Sequence, residues 1–145
     1  MNSGATHPVY WRKLDGQWRV RRFKHESPLR ADVPMCHINQ FEAEACAAWL
    51  GRRLPTAGQW LRATALPDFS WGHDWEWLGE SFAPYPGFSA DPYTDYSEPW
   101  FHSHAELRGA GPYTNALLKR PGFRNFYLPH RRDVFAGFRT VSRDT

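Results

Sequence analysis

Two short runs near the amino terminus, Val9-Tyr10-Trp11 and Gln17-Trp18-Arg19-Val20-Arg21, flank Asp15-Gly16. That pair tolerates positive backbone φ, so the pattern predicts a β-hairpin. A Pro-rich connection then leads to Asn39-Gln40-Phe41-Glu42, in which Asn39 caps a helix and Glu42 reaches back as the other half of a capping box. Phe41, Ala45, Ala48 and Trp49 fall on one face of that helix, and Gly51 supplies its stop. Thr56 stands three before Gln59, which predicts a second short helix carrying Trp60 and Leu61 and ending before Pro67. From Phe69 to Tyr113 turn residues and aromatics alternate with little periodicity, the pattern of long ordered loops over a small sheet. Val134 to Val141 reads as the closing strand.

The chain has 145 residues, enough for one hydrophobic core, so residues 1–145 are taken as a single domain. Aromatics make up 17%, and 12 Pro with 11 Gly favour a loop-rich α+β fold over a helical bundle. The net charge is +3, but the arginines are scattered from Arg12 to Arg143 without a basic run, which argues against nucleic acid. Met1 to His7 has neither a cationic start nor an apolar stretch, and no window approaches the ~18 apolar residues of a membrane span. A cytosolic protein with free thiols at Cys36 and Cys46 is the expectation. The densest chemistry lies between Arg124 and Arg139, where four arginines, an asparagine, three phenylalanines and a tyrosine share sixteen residues. Arginines fixed there would recognise carboxylates or phosphates, because the planar fork matches two oxygens at once.

Several segments in order carry a family resemblance: Pro34-Met35-Cys36-His37-Ile38-Asn39, Gly51-Arg52-Arg53-Leu54-Pro55-Thr56 with Gln59-Trp60, Trp75-Glu76-Trp77, Leu107-Arg108-Gly109 and Ala136-Gly137-Phe138-Arg139. Together they resemble the formylglycine-generating-enzyme-like (sulfatase-modifying-factor) domain, which implies a C-type-lectin-like fold with two short helices and a small antiparallel sheet. Phe82 to Phe88, Tyr96 to Phe101 and the Arg124 to Arg139 stretch look most like the carboxy-terminal domain of ergothioneine- and selenoneine-type non-haem iron sulfoxide synthases. The resemblance implies Fe(II) and O₂ chemistry that joins a cysteine-like thiol, or a selenium donor, to the imidazole of trimethylhistidine. In that family an amino-terminal helical domain holds the iron through HxxxHxE, a motif this chain does not contain. The expectations are therefore a chain that starts inside the family's carboxy-terminal domain, with early strands missing, and a partner domain or subunit that carries the iron. Should this chain hold metal itself, His102 and His104 are the first residues to suspect. Asp68, Asp74 and Asp91 offer oxygens for Ca²⁺, without a ligand ladder.

By the same resemblance, Tyr85 in its Pro-Tyr-Pro-Gly turn is expected to donate a proton or hydrogen atom, and Arg131 to grip the carboxylate of the sulfur substrate. Asn125, Phe126, Tyr127 and Arg124 complete the expected substrate-binding set. Members that use γ-glutamylcysteine have Trp-Asp where this chain has Phe126-Tyr127, so a smaller donor such as cysteine is favoured. Arg132 is a further candidate for the same anion site. Arg108, Arg139 and Glu76 read as buried scaffold, and Cys46 as a small core-facing residue. Two further readings compete: a non-catalytic lectin-like module that binds a small ligand or protein, and a formylglycine-type oxidase.

Overall fold

The computed structural model describes residues 4–143. Its first unit is the expected hairpin, β1 (Trp11–Leu14) against β2 (Gln17–Arg22), with Trp11 opposite Val20. Asp15 and Gly16 both take positive φ, 48° and 79°, which gives the turn the twist that a two-residue hairpin needs. A strand not read from the sequence, β3 (His25–Pro28), adds to β2 and makes a three-stranded antiparallel sheet.

Helix α1 (Gln40–Trp49) has the capping box: the Asn39 side chain accepts from the Glu42 amide and Glu42 accepts from the Asn39 amide, both at 2.9 Å. Gly51 at φ 69° ends it, its amide bonded to the Ala48 carbonyl. The buried face is not the one expected. Gln40, Ala43 and Ala47 face inward, while Phe41, Ala45, Ala48 and Trp49 are exposed, Trp49 at 83%. The reason lies across the interface. Fully buried Trp77 fills the space beneath the helix and donates its indole N–H to the Ile38 carbonyl, so small alanines and a hydrogen-bonded Gln40 fit where larger side chains would not. Cys46 is only half-buried.

After β4 (Arg52–Arg53), Thr56 and Gln59 form the second capping box at the start of α2 (Ala57–Ala63), whose Trp60 is buried. β5 (Trp75–Ser81) and β6 (Ala105–Gly109) come next, and both lie in the stretch read as loops. Their burial hid them: β6 is buried along its whole length and β5 from Trp75 to Leu78, so polar positions that usually mark a solvent face are instead sealed beneath loops. Three short 3₁₀ turns, at Thr94–Tyr96, Glu98–Trp100 and Ala116–Leu118, do punctuate the surrounding loops.

The segment read as one closing strand breaks in two. β7 (Asn125–Tyr127) precedes it, and β8 (Ala136–Gly137) and β9 (Val141–Ser142) flank Arg139, which leaves the strand path to reach Glu76. The four-stranded sheet runs β7-β6-β5-β8; β5 and β8 are parallel, so this sheet is mixed rather than purely antiparallel. β9 pairs instead with β4. On one face of the central sheet Trp75, Trp77, Ala105 and Leu107 join Ile38, Ala43 and Ala47 in the hydrophobic core. Alternation puts Glu76, Glu106 and Arg108 on the opposite face. No helix of the described residues is long and apolar enough to cross a membrane.

Candidate functional site

The strand period decides which expected residues can meet. In β7, Asn125 and Tyr127 point to the core side, opposite Leu107 and Ala105, and Phe126 points to the other side, opposite Glu106. Arg124 belongs with Phe126. The expected substrate-binding set is therefore divided between two faces of one three-residue strand.

On the Phe126 face the aromatic and charged groups interlock. Phe82 stacks on Phe126 at 4.2 Å between centroids, and the Arg124 guanidinium lies 4.5 Å from the Phe82 ring and 3.9 Å from the Tyr85 ring. Arg124 donates to the Ala83 carbonyl at 2.7 Å and to Glu106 at 3.2 Å. The other carboxylate oxygen of Glu106 accepts from Arg108 Nε at 2.7 Å, and Arg108 Nη2 donates to the phenolic oxygen of Tyr85 at 2.9 Å. Arg108 is fully buried and also ties down the Pro121 and Gly122 carbonyls, the scaffold role expected of it. Its hold on Tyr85 was not expected, and neither was Glu106 as the carboxylate shared by two arginines. No local signal pointed to Glu106, because its partners become neighbours only through the β5–β6–β7 register.

Guanidinium has donors and no acceptor. The Tyr85 hydroxyl must therefore accept from Arg108 and direct its own hydrogen elsewhere. Tyr85 as a whole is half-exposed.

On the Tyr127 face, Asn125 donates to the Tyr127 hydroxyl at 3.3 Å and accepts from the Phe126 amide at 2.9 Å, so it braces its own strand. Arg131 lies 5.6 Å from the Tyr127 ring and makes a two-pronged pair with Asp133, at 2.6 and 2.5 Å. This pairing holds the Asp133 carboxyl below its usual range and the Arg131 guanidinium above its own. Both belong to a cleft of about 390 Å³ walled by Trp75, Tyr113, Tyr127 and Phe135. Arg132 turns away to Glu42 on the first turn of α1, at 3.1 Å, and so braces the helix instead of sharing an anion site with Arg131.

Glu76 is scaffold, as expected. It accepts from the Trp60 indole at 2.8 Å and from the Arg139 guanidinium on both oxygens, with Arg139 Nη2 at 2.6 Å, and Arg139 also caps the Phe69 ring. Cys36 donates to Asp74 at 3.1 Å; burial, together with that carboxylate, pushes the thiol up to about 12. Burial likewise raises Asp74.

Iron needs several donor side chains converging on one point. Among the described residues, no three His, Cys, Asp or Glu side chains converge as an ion would require. His104 is half-buried, bonded to Ser103 at 2.9 Å and set against Trp100, and burial lowers its pKa. His102 is exposed at φ 61°. Neither these histidines nor the calcium candidates Asp68, Asp74 and Asp91 are joined by the further ligands needed. The described residues do not fit the metal.

Sequence comparison shows which proteins this chain is similar to. Residues 3–74 match the sulfatase-modifying factor enzyme 1-like domain. Over 94% of its length the chain is 32% identical to the hercynine oxygenase of Mycobacterium tuberculosis, and over the same share 31% identical to that of Mycolicibacterium thermoresistibile and 30% to that of Mycolicibacterium smegmatis. The resemblance read from the sequence is thus borne out. The chain spans 41–43% of the length of these relatives. The first alignment covers 183 positions against 145 residues here, so the relative carries segments with no counterpart in this chain.

Proposed function

We propose that this chain is the substrate-binding part of an iron- and O₂-dependent sulfoxide synthase that joins a cysteine-like thiol, or a selenium donor, to trimethylhistidine. The similarity to hercynine oxygenases over 94% of the chain carries the reading. The geometry of Tyr85 supports it: a phenol whose oxygen accepts from a buried arginine keeps its own hydrogen to give, which suits a proton or hydrogen-atom donor. In this reading Arg131 binds the substrate carboxylate in the Tyr127 cleft, and Arg124 holds the Tyr85 ring instead of touching substrate. Fe(II) belongs to a partner domain or subunit, because the described residues offer no converging ligand set. The unpaired Cys36 and Cys46 suit a reducing compartment such as the cytosol.

The test is anaerobic calorimetry on the 145-residue chain, titrated separately with trimethylhistidine, cysteine and Fe(II). Saturable binding of either small molecule, with the cysteine signal lost in Arg131→Ala, is the expected result. Stoichiometric Fe(II) binding would overturn the assignment of the metal to a partner. Failure of both small molecules to bind would favour the non-catalytic module.

A further inference from the structure

The carboxylate-binding arginine does not stand alone in its cleft. Asp133 occupies the Nε and Nη2 side of the Arg131 fork, and both residues line the cavity walled by Trp75, Tyr113, Tyr127 and Phe135. Two of the five N–H groups of Arg131 are used by this pair, and the carboxylate keeps lone pairs beyond the two that accept. The side chains are 42% and 57% exposed, so the remaining donors and acceptors are open to a ligand. Asp133 also borders a neighbouring cleft that contains Arg21, which places a further positive charge on that side.

A positive and a negative group, side by side and both accessible, make a surface that is neutral overall and strongly dipolar. A simple carboxylate approaching Arg131 meets the Asp133 anion and must displace it or sit beside it, a like-charge contact that disfavours binding. An α-amino acid brings its own ammonium. Its carboxylate can take the free edge of the guanidinium while its N–H donors go to Asp133, so neither charge of the protein pair loses a partner.

We propose that Arg131 and Asp133 act together as a zwitterion-reading pair, and that Asp133 is a specificity residue selecting ligands with a free α-amino group. This rests on the reading of Arg131 as the carboxylate clamp, and it names the sulfur or selenium donor as a free α-amino acid. It also gives the chain an acidic partner for the ammonium, although Phe126-Tyr127 has none in β7. No bond is made or broken at this pair; the proposal concerns recognition alone.

The test is a ¹H–¹⁵N NMR titration of the 145-residue chain, following the Arg131 Nε–H signal, with cysteine, its desamino analogue 3-mercaptopropionate and its decarboxy analogue cysteamine. Cysteine should bind on the order of 10-fold or more tightly than either analogue, since each lacks one charged hydrogen-bonding group. Asp133→Asn should collapse the preference for cysteine over 3-mercaptopropionate to below about 2-fold by removing the one charge that both repels a lone carboxylate and attracts the ammonium. Asp133→Glu should restore much of it. Asp133 is exposed, and a folded spectrum for each variant is part of the measurement. An unchanged ratio in Asp133→Asn, or no perturbation of Arg131 by any of the three, overturns the proposal. Serine separates the two readings. If serine binds as cysteine does, with the same dependence on Asp133, zwitterion reading stands and the sulfur-donor role falls. If cysteine and 3-mercaptopropionate bind alike, the thiol site stands and the role of Asp133 falls.

Discussion

Replacing Glu106 with glutamine changes one oxygen to nitrogen and removes one charge from the most enclosed ionic group in the molecule. Glu106 is 4% exposed and accepts from Arg108 on one oxygen and Arg124 on the other. Arg108 is fully buried, and its remaining partners are the Pro121 and Gly122 carbonyls and the Tyr85 hydroxyl, none of them charged. The amide of Glu106→Gln can accept from one guanidinium only, and its NH₂ must face the other, which has nothing to accept with. Breaking a buried pair by removing one partner costs about 3–5 kcal/mol. Because the amide retains one acceptor, the loss belongs near the lower end, about 3 kcal/mol. For a chain of this size, that corresponds to a fall in Tm of about 6–12 °C. Urea denaturation followed by tryptophan fluorescence reads it, with the m-value checked for constancy so that the midpoint alone reports stability. Asp32→Asn, which breaks only the exposed pair with Arg30, is the control and should leave the midpoint unmoved. A loss below about 1 kcal/mol for Glu106→Gln would refute the reasoning, because it would mean that the Arg108 charge is satisfied by neutral groups or by water.

Three further outcomes follow from the packing and the thiol. A Cβ at Gly137 would sit 2.3 Å from the Met35 carbonyl oxygen, so Gly137→Ala should destabilise by about 1–3 kcal/mol in the same urea assay. Ala47→Leu should cost about 1–3 kcal/mol, whereas Ala48→Leu on the exposed side of α1 should stay within about 0.5 kcal/mol; equal effects would show that the helix face has been misplaced. The Cys36 thiol, ordinarily near 9.0 and pushed up to about 12 by burial, keeps its proton in the folded state after the unfolded chain has lost it. The unfolded state then binds fewer protons over that window, so stability should decline as pH rises from 9 toward 12, and Cys36→Ser should flatten the decline.

The features legible in the sequence were those fixed by neighbours a few residues apart. Asn39 with Glu42, Thr56 with Gln59, Asp15 with Gly16, and the stop at Gly51 all form as their spacing implies. The helix face was misread because the small residues Ala43 and Ala47 bury while Phe41 and Trp49 do not. Hydrophobic size alone cannot register that Trp77 already occupies the space. β5 and β6 escaped notice because Glu76, Glu106 and Arg108 are polar and still buried, each matched by a partner from a distant segment: Arg139, Arg124 and Tyr85. The candidate residues themselves were visible as a cluster between Arg124 and Arg139. Their division between two faces of β7 was not, since it depends on where a three-residue strand begins. The pairing of Arg132 with Glu42 and of Arg131 with Asp133 follows from that division and from the turn at Leu128–Arg131.

The pairings made by β8 and β9 also set a schedule for the assembly of the sheets. β8 completes the edge of the sheet beside β5, and β9 closes on β4, with Arg52 opposite Ser142. The hairpin and third strand of the amino-terminal sheet need only their immediate neighbours and can form while the chain is still being synthesised. The central sheet cannot be completed until β8 has been made, because contacts between remote segments must wait for both to exist. Until then the tryptophans of β5 lack one flank of their cover, and a nascent chain stalled short of Ala136 would expose them to chaperones or to other unfinished copies of itself.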